Sequence, residues 1–335
     1  MDELFEHYRF KVDKGQELVR IDKWLCAHLE HTSRNRVQQA LDAQYVRVGE
    51  TPVKSNYRVK PEDEISIMLP YERHEFEITP ENIPLDIRYE DDDVMVVYKP
   101  AGMVVHPGCG NFSGTLVNAL AWYMGLRESV TAEDNRMGML VHRIDKDTSG
   151  TLLIAKNLRA QNFLAKQFFE HSVDRVYVAI VWGDLENDEG TIDAPIGRDP
   201  ADRLRYKVVE EGGKRAVTHY KVIKRLGYVT VVECRLETGR THQIRVHMNH
   251  IGHPLFNDER YGGDRILKGT LYSKYKQFIE NCFEILPRQG LHARTIGFIH
   301  PTTREHIVIE GEMPQDMEKL IEKFDNFVAS RQINR

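Results

Sequence analysis

Nine consecutive residues, His142-Arg143-Ile144-Asp145-Lys146-Asp147-Thr148-Ser149-Gly150, stand between two short apolar runs, Met139-Leu140-Val141 and Thr151-Leu152-Leu153-Ile154-Ala155. Each run has the length and composition of a buried strand. Any compact fold of this chain must therefore hold a charged loop between two rigid walls. Walls of that kind fix side chains well enough for chemistry. Asp145 and Asp147 are the acids of the loop, and taken alone they read equally as turn formers or as a functional carboxylate.

The chain around this loop has 335 residues, enough for two domains. With 41% hydrophobic and 29% charged residues it falls among globular sequences. No apolar run approaches the roughly 20 residues of a membrane span. The start, Met1-Asp2-Glu3-Leu4-Phe5-Glu6-His7, is acidic and lacks a signal peptide's basic and apolar segments. Cys26, Cys109, Cys234 and Cys282 are far apart and form no C-x-x-C pair, which predicts a reducing, cytoplasmic setting without disulfide framework or structural zinc. The net charge is −5, yet residues 18–60 carry a net +4 and residues 198–225 a net +5. Two basic patches on an acidic chain fit either solvated surfaces or a nucleic-acid partner.

In order, residues 1–17 read as an irregular N-terminal extension. Leu18, Ile21, Trp24, Leu25 and Leu29 have helical spacing. Ser33 is an N-cap candidate for a second helix over 34–43, with Val37, Ala40 and Leu41 inward and Arg34, Arg36 and Gln38 outward. Strands are expected at 45–48, 52–54 and 64–68, closing a module over 18–69. The Glu/Pro-rich stretch 70–84 reads as a linker. A second domain is expected over 85–312, with strands at 87–90 and 94–98 and a helix capped by Thr115. The glycine-rich loop 108–114 lacks the Gly-Lys-Ser/Thr of a phosphate-binding P-loop. An amphipathic helix follows over 157–171, then strands at 175–182, 191–195, 203–209, 216–225 and 228–236. A helix over 241–251, late strands at 284–286 and 306–310, and an acidic helix within 313–335 complete the chain. Many strands with few interleaved helices indicate an α+β fold with a mixed, mainly antiparallel sheet.

Two resemblances follow from particular residues. Arg20-Ile21-Asp22-Lys23-Trp24-Leu25, Ser33-Arg34, Val46-Arg47-Val48 and Val59-Lys60-Pro61-Glu62-Asp63 resemble the αL-type S4 RNA-binding module. In that module the second helix and the hairpin after it grip the RNA backbone, which implies contacts from Arg34, Arg36 and Lys54. The hairpin here reads Val48-Gly49-Glu50-Thr51 where the module usually has an Asn-Gly turn. In the rest of the chain, residues 142–150, Tyr177 within Arg175–Trp182, and Gly239-Arg240-Thr241-His242-Gln243-Ile244-Arg245-Val246-His247 together resemble the RluA family of pseudouridine synthases. Residues 99–102, 104–110, 114–120, 253–255 and 286–293 extend the match. With the S4 module in front, the likeness is to the RluD and RluC type, which implies ribosomal RNA of the large subunit as partner, transfer RNA being the other substrate left open.

Isomerising uridine breaks the C1′–N1 bond, rotates the base and joins C1′ to C5. No redox change or phosphate transfer occurs, so the expectation is no cofactor and no metal. The reaction needs an ionised carboxylate near C1′ and C2′, a dry pocket, and an acceptor for the C5 proton. Asp145 suits the first role, provided a fixed cation keeps it ionised when desolvated. The resemblance implies that this cation is Arg245, whose planar fork pairs with carboxylates and keeps its proton. Tyr177 offers a ring to stack on the base and a phenol to exchange the C5 proton. The base must leave its stack to reach them. The family implies that Arg143 takes the vacated space. It also implies substrate contacts from His142, Arg240, His242 and Gln243. His142, His242, His247, His250 and His253 lack carboxylate or cysteine neighbours at metal-ligand spacing. Ser149 lacks a G-x-S-x-G elbow. Asp145 and Asp147 are too close in sequence to define a glycosidase pair. The expectation is a monomeric RNA-modifying isomerase. An inactive RNA-binding assembly factor and a glycoside hydrolase are the rivals.

Overall fold

A computed structural model of the chain describes all residues except 1–3, 30–33, 70–76, 108–110, 112, 132–135, 137–138, 203–204, 271 and 334–335, and omits the side chains of 34–36, 77, 131 and 331–333. The chain divides into two compact units, residues 1–75 and 76–335.

The first unit runs β1 (Phe5–Lys11), β2 (Val19–Arg20), α1 (Ile21–His28), α2 (Arg34–Asp42), β3 (Val46–Val48), β4 (Thr51–Pro52), β5 (Arg58–Val59) and β6 (Glu64–Leu69). Ile21 and Leu25 of α1 are fully buried against Leu41, Val46, Val59 and Ile65. The four-stranded sheet has the order β1-β6-β3-β4. The stretch read as an irregular extension therefore holds a strand, since Phe5–Lys11 pairs antiparallel with β6 along six residue pairs. This is an edge strand with a largely exposed face. Its charged residues hide the strand period, while Phe10 packs edge-on to Trp24 at 5.6 Å.

The second unit starts earlier than Leu85. β7 (Glu77–Ile78) pairs with β10 (Val130–Thr131), and Ile78 is buried against Val117 and Ala121. Between them come β8 (Asp86–Glu90), β9 (Val94–Lys99) and α3 (Leu116–Tyr123). Thr115 caps α3 in a reciprocal pairing with Asn118. Next are β11 (Met139–Leu140), β12 (Ser149–Ala155), α4 (Leu158–Phe169) and β13 (Asp174–Trp182). Then follow β14 (Glu189–Asp193), β15 (Ile196–Arg198), β16 (Tyr206–Val208), β17 (Val217–Arg225), β18 (Val229–Leu236) and α5 (Gln243–His250). The unit ends with α6 (Ser273–Ile285), β19 (Leu291–Ile299), β20 (His306–Glu310) and α7 (Gln315–Ile333).

One ten-stranded sheet dominates, in the order β14-β17-β18-β13-β19-β12-β9-β8, with β11 beside β12 and β20 beside β19. Its pairings are antiparallel except for β12 with β19, which run parallel over two residue pairs, Ser149 with His292 and Gly150 with Ala293. Both faces are covered at the central strands, so β12 and β13 alternate between two cores rather than between core and water. Leu152, Ile154, Tyr177 and Ala179 meet α3 and α5, whereas Leu153 and Ala155 meet α4 and Val178 and Ile180 face α6 and α7.

The late part of the chain departs from the expectation. Residues 284–286 close α6, whose buried face is Tyr275, Ile279 and Cys282. Leu291–Ile299 forms a central strand that the pattern hid, because His292, Arg294 and Thr295 interrupt its apolar residues. The C-terminal helix is no appendage, for Met317, Leu320 and Phe324 are fully buried. No helix among the described residues is long and apolar enough to cross a membrane.

Candidate active site

The loop between β11 and β12 is held by its own carbonyls. Thr148 N–H donates to Asp145 O at 3.1 Å, and Gly102 N–H to Lys146 O at 3.0 Å. Lys99, fully buried, donates from Nζ to the carbonyls of Lys146 (2.9 Å), Pro100 (2.8 Å) and Met103 (2.7 Å). Three acceptors match the three protons of an ammonium, although burial pushes its pKa down to about 7. Arg288 donates to Asp147 O at 3.0 Å and is itself paired through two nitrogens with Asp316 of α7. The backbone under Asp145 is thus clamped from β9 and from the C-terminal helix.

Asp145 projects into a cleft of about 500 Å³. Its Oδ2 accepts from Arg245 Nη1 at 2.9 Å. Arg245 lies on α5 and is 6% exposed. Its other edge faces Asp258, with Nε to Oδ2 at 2.7 Å and Nη2 to Oδ1 at 2.8 Å. One guanidinium therefore serves two carboxylates, and their charge raises its pKa against the opposing effect of burial. Asp258 also caps the short 3-10 helix Glu259–Tyr261.

Tyr177 lines the same cleft from β13 and is 9% exposed. Burial pushes its phenol pKa up, so it stays protonated at neutral pH. His242 enters α5 with a left-handed backbone, φ 57°. Its Nε2 lies 3.8 Å from Asp145 Oδ2, and its Nδ1 lies 2.8 Å from the Tyr261 hydroxyl. Burial drops its pKa to about 4, which makes it a neutral ring beside the acid.

The other residues singled out in the sequence divide by what their polar atoms do. Arg143 is exposed at the cleft, and Arg240 lines it half-buried, with Nε on the Arg215 carbonyl at 2.9 Å. His142 lines it too, but its Nε2 accepts the Leu153 N–H at 2.9 Å and its ring stacks on Phe168. Burial holds His142 at a pKa of about 3. Gln243 is 3% exposed, and its amide is engaged by Thr238, Arg240 N–H, the Val217 carbonyl and Thr218. Its hydrogen bonds serve the fold of the turn before α5. Lys54 is exposed in the first unit, while the side chains of Arg34 and Arg36, like most of the loop 108–114, lie outside the described residues. Sequence reasoning missed Asp258, Tyr261, Arg288 and Arg175. The signal for the first two was the turn Asn257-Asp258-Glu259-Arg260-Tyr261-Gly262, one residue beyond the noted His253-Pro254-Leu255. Among the described residues no cluster of three or more His, Cys, Asp or Glu side chains is placed to hold a metal ion.

Comparison with known proteins decides the family. Residues 93–250 match the model of the RNA pseudouridylate synthases, and residues 19–65 match the S4 domain. An RNA pseudouridine synthase of Chlorobaculum parvum, itself uncharacterized, is 44% identical over 96% of this chain and 98% of its own length. The chain belongs to the RNA pseudouridine synthase family. It is an isomerase of that family with an S4 domain at its N-terminus. A protein of Zymomonas mobilis named ribosomal large subunit pseudouridine synthase D is 40% identical over 92% of this chain and 96% of its own length. Human RNA pseudouridylate synthase domain containing 4 shares the fold, with a TM-score of 0.53 over 71% of this chain and 92% of that one, at 22% identity. In this synthase the family match spans the Asp145 loop, Tyr177 and Arg245.

Proposed function

We propose that this synthase converts uridine to pseudouridine in ribosomal RNA of the large subunit, with Asp145 as the reacting carboxylate. The observation that carries the reading is the 2.9 Å pair between Asp145 and Arg245 in a cleft walled by Tyr177. A carboxylate held by a fixed guanidinium is aimed and charge-paired within the cleft. It is then available either to bond C1′ or to take the C2′ proton, and both routes release N1 from C1′. Tyr177 presents its ring to the base. As a neutral phenol it acts as a relay, giving its proton to N1 as its oxygen takes the one lost from C5. The atoms then balance, since one proton leaves C5, one arrives at N1, and a C–C bond replaces a C–N bond. Arg245 holds Asp145, and Arg143 stands exposed where an extruded nucleotide leaves a gap.

The choice of RNA is supported by the relatives named ribosomal large subunit pseudouridine synthase D, at 40–45% identity, and by the S4 domain. The test is chemical mapping of pseudouridine in total RNA from cells with and without the gene, and with the Asp145→Asn variant. The reading expects sites in large-subunit ribosomal RNA that vanish in both the deletion and the variant, with RNA binding by the pure variant largely kept. Lost sites confined to transfer RNA would replace the substrate, and full activity of Asp145→Asn would remove the mechanism.

A further inference from the structure

We propose that Arg175 is the seat of one RNA phosphate inside the cleft, a role that rests on the pseudouridine synthase reading above. Three described arginines, 175, 245 and 288, are more than nine-tenths buried. Two have carboxylates: Arg245 has Asp258 and Asp145, and Arg288 has Asp316. Arg175, 8% exposed, has none within ion-pair distance among the described residues. Its Nη2 donates to the Glu237 carbonyl at 3.0 Å, its guanidinium lies 5.7 Å from the Phe168 ring centre, and its Nε has no hydrogen-bond partner among the described residues. A buried cation without a counter-charge is costly to keep. Here Arg240, on the same cleft wall, has the same sign and makes the cost larger. An anion from outside the protein resolves both costs.

The position says which anion. Arg175 precedes Tyr177 by two residues on β13, so the two side chains share a sheet face about 7 Å apart. Both line the cleft, with Arg240 beside them. A nucleotide whose base lies on Tyr177 has its sugar and phosphodiester at about this reach. Gly239 belongs to the same device, because a Cβ there would come within 2.5 Å of Arg175 Nη1. A residue without a side chain leaves the guanidinium room under the turn that carries Arg240. A phosphate at Arg175 would hold the strand while the base is isomerised, since it is not itself a reacting group.

The experiment is filter binding of an unmodified large-subunit ribosomal RNA transcript across a KCl series, for the full chain and for Arg175→Met and Arg175→Lys. Melting temperatures and the kinetics of pseudouridine formation are measured alongside. A phosphate seat predicts that Arg175→Met binds about tenfold more weakly and that its slope of log affinity against log salt falls by about 0.7–0.9, one phosphate contact. It predicts a loss falling more on KM than on kcat, partial recovery in Arg175→Lys, and a melting temperature kept or raised in Arg175→Met, because a lone buried charge has been removed. A lowered melting temperature with unchanged affinity and salt slope would make Arg175 a structural residue and overturn the proposal. So would protection by inorganic phosphate, at matched ionic strength, that raises the melting temperature of the parent but not of Arg175→Met while the RNA slope stays the same, since the seat would then belong to a free anion. If the parent modifies no site in this transcript, the substrate reading fails instead, and the binding slopes still decide the role of Arg175.

Discussion

Arg245 gives two of its guanidinium nitrogens to Asp258 and only the third to Asp145. The structural pair is thus the two-point one, and Asp145 meets an arginine that is already oriented. Lysine has no such fork and would meet one carboxylate or the other. Arg245→Lys should therefore lower the rate of pseudouridine formation by at least about 100-fold, roughly 2.7 kcal/mol in the barrier. Asp258→Ala should cost about 3 kcal/mol of stability, since it leaves a buried guanidinium half-paired, and should lower the rate without touching RNA directly. Chemical denaturation and single-turnover assays on both variants check this. A rate for Asp258→Ala equal to the parent's would deny Asp258 any part in aiming Arg245.

Lys99 ties β9 to the carbonyl that follows Asp145. Lys99→Met fits the space but leaves three buried carbonyls without their donor, at about 1–3 kcal/mol each. The expected outcome is a destabilisation of several kcal/mol, and at permissive temperature a slower reaction with near-parental RNA affinity. Parental stability in this variant would show that the three hydrogen bonds are dispensable.

Stability should decline in mild acid. Burial holds His142 at a pKa of about 3 and His242 and His292 at about 4, below the ordinary 6.5. The unfolded chain therefore binds protons that the folded chain refuses. The stabilisation from these rings is complete above about pH 6.5 and is lost as the pH falls toward 4, at about 1.4 kcal/mol per pH unit for each ring. Urea midpoints at pH 7.5, 6 and 5 read this directly. His142→Gln should flatten the slope, and an unchanged midpoint over that range would contradict the buried neutral rings.

Gly150 has φ +123°, and a Cβ there would run into the backbone carbonyl of Ala293. Gly150→Ala should thus prevent the parallel contact of β12 with β19 and remove most folded protein at 37 °C. Circular dichroism melting of the purified variant is the check, and a melting temperature within a few degrees of the parent would refute it.

The sequence made much of this legible and hid the rest for identifiable reasons. The runs around residues 142–150 announced two walls and a loop, and the structure places β11 and β12 there. Thr115 was readable as a cap because a side-chain oxygen before an apolar helix has few other uses, whereas Asn157, read as the first residue of its helix, proves to be that helix's N-cap. β19 was not readable, because its polar residues line a seam and carry hydrogen bonds, as Ser149 Oγ to His292 Nδ1 at 3.0 Å illustrates. β1 was hidden by its exposed charged face. In the site, motif residues could be named from the chain alone, but what each polar atom holds could not. His142 and Gln243 turn out to have backbone duties, and Asp258 and Arg175 gain importance only from neighbours distant in sequence.

The parallel contact of Ser149–Gly150 with His292–Ala293 has a mechanical meaning. It is the narrow joint at which two broad antiparallel panels, β8-β9-β12 on one side and β19-β13-β18-β17-β14 on the other, become one sheet. Asp145 approaches that joint from the first panel, whereas Tyr177 belongs to the second and Arg245 to the helix packed on it. In the proposed reaction the acid would thus stand on one leaf and its partner guanidinium on the other, so the angle between the two leaves would set how the pair is aligned.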